Sequence, residues 1–187
     1  MAIESVRTIV RPDERVLWSG SPELRAYVFR GSWVTIPFSI LWAAFVVFWE
    51  VSVIANGAPP LFVLWGVPFL LIGAYITVGR FILARREAAR TEYIVTDRRI
   101  LIRTGAFSTR TIEMPLANLP STELDERRDG LGSISFGPTG PYRSFLGPGR
   151  PGARSLSPAF EAIPNARRVF ELINDARAEA LAPSAST

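Results

Sequence analysis

The chain has no cysteine, no histidine and no lysine. The first absence excludes disulfides and a thiol nucleophile. The second removes the imidazole base, the imidazole ligand of zinc sites and any serine–histidine–aspartate triad. The third makes each of the 21 basic residues an arginine. What remains for chemistry is scattered carboxylates and hydroxyls, so the expectation is no enzyme, no cofactor and no metal site.

Charge is missing from one long region. Residues 33–55 and 61–79 are two apolar runs joined by the uncharged Asn56-Gly57-Ala58-Pro59-Pro60, and Glu50 is the one charge within them. A bilayer-crossing helix needs about 20 mainly apolar residues, because about 30 Å of hydrocarbon is covered at about 1.5 Å per residue. The pattern therefore predicts a transmembrane hairpin over 33–82, with spans at 33–55 and 61–82. Pro37 and Pro68 each remove a backbone hydrogen bond and are expected to kink their helices. Trp33 marks one interface, Trp49 and Trp65 the other. Gly66, Gly73 and Ala74 offer small surfaces for close helix packing.

The formal charge of +4 is not spread along a domain. It concentrates at residues 80–90, where Arg80, Arg85, Arg86 and Arg90 face only Glu87. A collar of this kind argues against a nucleic-acid partner. The connecting loop is uncharged and arginine flanks both spans, so the positive-inside rule puts both termini in the cytoplasm.

Residues 1–32 form an N-terminal segment with breaks at Pro12-Asp13 and Gly20-Ser21-Pro22. A short strand is expected at 15–18 and an interfacial stretch at 23–30. There Leu24, Tyr27, Val28 and Phe29 would dip among headgroups while Arg25 and Arg30 stay wet. Beyond the second span the helix should run on to about Arg90. The period then changes to that of strands, at 91–96, 100–104, 109–114, 121–127 and 133–136, with a tight turn at Asp97-Arg98-Arg99. Residues 137–158 read as a flexible Gly/Pro/Arg/Ser loop, followed by a last strand at 159–163. Asn165 is expected to cap a helix whose apolar stripe is Val169, Phe170, Leu172, Ile173 and Ala176. Residues 181–187 read as a disordered tail. Six or seven short strands and one helix predict an α+β protein, with a small antiparallel barrel or sandwich plugged by that helix over 83–180.

The run Glu92-Tyr-Ile-Val-Thr-Asp-Arg-Arg-Ile-Leu-Ile-Arg-Thr-Gly-Ala-Phe-Ser resembles the opening strands of the bacterial pleckstrin-homology-like (PH-like) domain family. The likeness continues through residues 110–119, with Met114-Pro115-Leu116, and returns at 160–173 around Ile163-Pro164-Asn165. Pro12-Asp-Glu-Arg-Val-Leu-Trp-Ser-Gly-Ser-Pro22 followed by two spans is similar to the membrane-anchored members. The resemblance implies a seven-stranded PH-type barrel capped by a C-terminal helix, without catalytic residues. It also implies a binding or scaffold module in a bacterial plasma (inner) membrane. The expected partners are the lipid bilayer and a protein or further copies of the chain. A small transport or envelope-stress component acting as an oligomer is the alternative from a different class.

Four groups of residues are candidates for function. Arg80, Arg85, Arg86 and Arg90 read either as topology determinants that snorkel or as a contact for anionic lipid headgroups. The resemblance places Asp97, Arg98 and Arg99 in the first hairpin, the loop where eukaryotic PH domains gather basic residues. The residues themselves favour an Asx-turn at Asp97 and a cross-strand arginine pair over a ligand site. Glu123, Asp125, Glu126 and Asp129 are expected to form a solvated strand face. Glu50, close to the outer loop, is expected to snorkel to the interface, against the alternative of a proton or substrate path.

Overall fold

In the computed structural model, residues 10–29, 32–137 and 158–182 are described, with residues 32–35 described by backbone alone. The loop expected at 137–158 falls almost wholly outside them, as do the tail from Pro183, Arg30 and the side chain of Trp33.

The chain opens with β1 (Val16–Gly20) and a short helix, α1 (Leu24–Phe29). Two long apolar helices follow. The first, α2 (Ser32–Ala55), contains Pro37; the second, α3 (Pro60–Ala74), contains Pro68. A π-helical stretch (Tyr75–Gly79) joins α3 to α4 (Arg80–Ala88). The turn between α2 and α3 is a Schellman motif. Ala58 N–H donates to the Val53 carbonyl and Gly57 N–H to that of Ile54. Gly57, at φ +67°, supplies the left-handed residue the motif requires. Pro60 then starts α3, where a missing N–H costs nothing.

The rest of the chain is β2 (Glu92–Thr96), β3 (Arg99–Thr104), β4 (Arg110–Pro115), β5 (Thr122–Glu126), β6 (Leu131–Phe136), β7 (Ala159–Pro164) and α5 (Ala166–Leu181). Among the described residues the strands form two antiparallel sheets, β1-β2-β3-β4 and β5-β6-β7, and no ladder joins the two. Near-continuous apolar runs drive this arrangement, with Ile94 and Leu101 buried on one face of their sheet and the core residues on the other. Tyr93 and Val95 of β2, Ile100 and Ile102 of β3, and Ile134 and Phe136 of β6 are fully buried between the layers. Phe160 lies at the centre, with ring centroids 4.6 Å from Tyr93, 5.2 Å from Phe136 and 5.7 Å from Trp18. Each such side chain contributes about 1.5–3 kcal/mol on burial. α5 closes the core with Ala166, Val169, Ile173 and Ala176 buried and Phe170 and Leu172 packed beside them. Asn165 precedes it, but in a left-handed conformation (φ 52°, ψ 44°) and without a side-chain capping bond. The expected Asn165 cap is therefore only positional.

β1 holds the main surprise. It pairs antiparallel with β2, Gly20 opposite Tyr93 and Val16 opposite Thr96, with a bulge between Val16 and Trp18. The N-terminal segment thus forms the edge of the four-stranded sheet. The apolar helices lie within the connection between two paired strands. The Asp97 turn is the first tight hairpin along the chain, and it joins the second and third strands of this sheet.

Candidate functional site

The arginine collar is built on α4, whose opposite face is committed to packing. Ala84 and Ala88, four residues apart, are buried. Ala88 packs with Tyr27 of α1 and Ala162 of β7, and Leu24 and Ala26 border this cluster. Arg85, Arg86 and, just past the helix, Arg90 are exposed in consequence. Arg80 differs. It is half-buried, with its guanidinium carbon 4.5 Å from the Phe81 ring centroid, and Phe81 in turn lies 5.5 Å from the Phe29 ring of α1. The four arginines therefore do not converge on one point: three are exposed and one is packed at a helix junction.

The same junction locks α1 to the domain. Glu23 acts as its cap, a carboxylate oxygen accepting from Ala26 N–H at 2.6 Å. Glu23 N–H donates to the Ala162 carbonyl at 2.7 Å. Ala162 has φ +52°, next to a register shift in the β6–β7 ladder. A left-handed non-glycine residue costs about 1–2 kcal/mol, and here the docking of α1 offsets it. Tyr27, expected among headgroups, is instead 5% exposed against protein, whereas Phe29 stays exposed.

Asp97, Arg98 and Arg99 are brought together with residues 13–15. Arg98 Nη1 donates to Asp13 at 2.6 Å in an exposed pair. Arg99 Nε donates to the Glu14 carboxylate at 3.1 Å, and its Nη1 pairs with Glu113. Asp97 makes no Asx-turn: its carboxylate accepts from Arg15 N–H at 3.0 Å, and its own N–H donates to the Arg15 carbonyl. The turn is closed by Thr96, whose hydroxyl accepts from Arg98 and Arg99 N–H and donates to the Arg99 carbonyl at 2.9 Å. Burial pulls the Arg99 pKa down, but the Glu14 hydrogen bond and the charges of Glu14 and Glu113 outweigh it, for a net rise. β2 runs away from α4, so this turn lies about 15 Å from the helices, at about 3.3 Å per residue. Its charges are engaged by the chain's own N-terminal segment. Glu14 and Thr96 carry this arrangement, and neither stands out in the sequence.

The acidic group is spread over β5 and its turn. Glu126 accepts from Arg167 of α5 at 2.5 Å. Asp129 accepts from Leu131 N–H at 3.3 Å and lies 3.4 Å from Arg127. Among the described residues no group of three or more acidic residues could hold a metal ion. Glu50 does not snorkel. It is 8% exposed and packs into the notch left by Gly66 of α3, where an added Cβ would meet its Oε2 at 1.7 Å. A groove of about 380 Å³ runs between Arg15 and Leu17 on one side and Arg168, Leu172 and Ala176 of α5 on the other.

Residues 36–177 match the sequence pattern of a family described as Bacterial PH domain. An uncharacterized 23.7 kDa protein in the puhA 5′ region of Rhodobacter capsulatus is 28% identical over 174 residues, covering 87% of this chain and 79% of that protein. No solved structure matches the chain.

Proposed function

The chain belongs to the bacterial PH domain family, and from that premise we propose that it is a membrane-anchored binding and scaffold module. It works without catalysis at the cytoplasmic face of a bacterial plasma membrane, where it recruits a protein partner or assembles with itself. The surface of the apolar helices carries this reading. Phe45, Phe48, Val51, Leu61, Leu64 and Trp65 are each more than half exposed. Only 17% and 11% of the most apolar windows of the two helices are buried. A soluble core helix would be mostly covered, and an apolar surface this continuous is stable only against lipid or protein. The arginines at one end and the uncharged turn at the other support an orientation with both termini cytoplasmic. The exposure of Arg85, Arg86 and Arg90 favours a second reading, headgroup recognition at up to about 1 kcal/mol per arginine.

Because the chain has no cysteine, a single introduced thiol tests the anchoring. Ala58→Cys, in the turn between the helices, should react with a membrane-impermeant maleimide on intact cells. Arg128→Cys, in the β5–β6 turn, should react only after lysis. Equal reaction at both sites would remove the proposed topology. A photo-crosslinker at position 128 in native membranes should give discrete adducts with a protein or a second copy, and adducts with lipid alone would favour the second reading.

A further inference from the structure

The strand ladder fixes which parts of the domain stand near the apolar helices. β2 leaves α4 at Glu92 and β3 brings the chain back, so Arg103 pairs with Glu92. Thr91 and Thr104 share a hydroxyl hydrogen bond of 2.9 Å at the same level. Residues 105–109, the loop between β3 and β4, therefore return to the height at which the helix ends. Arg90 fastens them there, its Nη1 donating to the Ala106 carbonyl at 2.9 Å. Gly105 shapes the loop: its φ is +147°, and a Cβ would stand 1.7 Å from the Ser108 carbonyl oxygen. At the tip, Phe107 is 74% exposed, as bare as the residues of the apolar helices. A phenylalanine left in water forgoes the stabilisation that burial would give its ring. Ser108, Thr109 and Arg110 beside it are exposed as well.

The helix running from Pro60 to Ala88 is about 43 Å long at about 1.5 Å per residue. A bilayer with its headgroup layers is about 40–45 Å thick. A helix that starts at the outer surface therefore ends at the inner headgroup layer, and the loop tip sits at that layer too. The exposed charges at this level are arginines, Arg85, Arg86, Arg90 and Arg110, whereas the carboxylates Glu87, Glu92 and Glu161 are half-buried.

Resting on the membrane-anchored reading above, we infer that Phe107 is a second membrane contact. Its ring enters the boundary between headgroups and acyl chains of the inner leaflet, while the four arginines sit among anionic headgroups. The occupant is lipid because strand pairing and the Arg90 hydrogen bond bring the ring to lipid height within one chain. The contact gives the domain a second point of attachment to the membrane, beside the α4–α1–β7 junction.

The test uses full-length protein in nanodiscs of phosphatidylcholine and phosphatidylglycerol. Ser108→Cys carries a nitrobenzoxadiazole dye, and the same dye on Arg98→Cys marks the far end of the sheet. At 108 the expected result is blue-shifted emission, iodide quenching several-fold weaker than at 98, and strong quenching by lipids bearing a nitroxide near the headgroup. Adding Phe107→Ser should return the 108 dye to the behaviour of the 98 dye. A dye at 108 as wet as at 98, or one unmoved by Phe107→Ser, overturns the inference. So does a dye shielded from iodide but untouched by nitroxide lipid, which would mark a protein over the loop. Protein that does not stay in the nanodisc overturns the anchoring itself, so the two failures are distinguishable.

Discussion

Arg99 and Arg98 are neighbours with opposite prospects. The Arg99 side chain is 9% exposed and the Glu14 side chain that receives it 1%. Removing one member of a buried pair leaves an uncompensated charge, at about 3–5 kcal/mol. Arg99→Ala should lower the unfolding free energy of the purified chain by that order. Arg98 and Asp13 are each 58% exposed, and such a pair is worth about 0–1 kcal/mol. Arg98→Ala should therefore be close to neutral in the same denaturant titration. Equal losses in both variants would mean that Glu14 is not buried in solution. The raised pKa of Arg99 fixes the sign of its pH dependence. Its contribution is complete below the ordinary arginine value and is lost only as pH rises through the folded value, so none of it titrates near neutrality. Glu14 illustrates a limit of local reading. Its burial arises from Arg99, 85 residues away, and nothing beside Pro12 signals it.

The two apolar helices are matched at one notch. Glu50 fills the space at Gly66, whereas a Cβ on Gly73 would meet Trp42 at 3.5 Å, an ordinary contact. Gly73→Ala should be tolerated. Gly66→Ala has to expel the Glu50 carboxylate and should cost about 0.5–3 kcal/mol, the range usual for a packing defect. In a Glu50→Ala background the same change should cost clearly less, because the two sites share one space and only the Trp49 ring, 2.9 Å from the added Cβ, still has to shift. Thermal unfolding in detergent, followed by size-exclusion recovery, reads the cycle, and additive losses would dismiss the notch. At this scale the sequence is informative: apolar length gives the helices, β-rich runs give β2 and β3, alternation gives β4 and β5, and Gly57 marks the turn. The Glu50 notch is not legible, since it depends on which faces of two helices meet. Both are apolar all round and neither carries a stripe to decide it.

For the whole molecule, the decisive fact is that β1 belongs to the sheet that starts again only at Glu92. The strand itself is legible near 15–18, but its partner is not, because pairing over such a distance leaves no local periodicity to read. A fragment that begins at residue 91 should therefore expose the edge of β2 and lose the Trp18 contact with Phe160. Gly20 and Tyr93 are direct partners, so a short hairpin turn can replace everything between them. A chain in which residues 10–20 are joined to 92–182 by such a turn should unfold cooperatively in urea. The fragment without β1 should aggregate or show a lower midpoint, and identical midpoints would mean that β1 is dispensable.

The place of the helices within the β1–β2 connection also bears on synthesis. β1 emerges early and waits unpaired while the chain up to Glu92 is made, several seconds at about 5–20 residues per second. On the membrane-anchored reading proposed above, the hairpin has to insert in that interval. If one helix crosses the bilayer and the other fails, β1 and β2 end on opposite sides and the ladder cannot form. If both cross, the strands meet. Sheet completion would then act as a parity check on insertion, and a miscounted chain would be left with an open strand edge at β2.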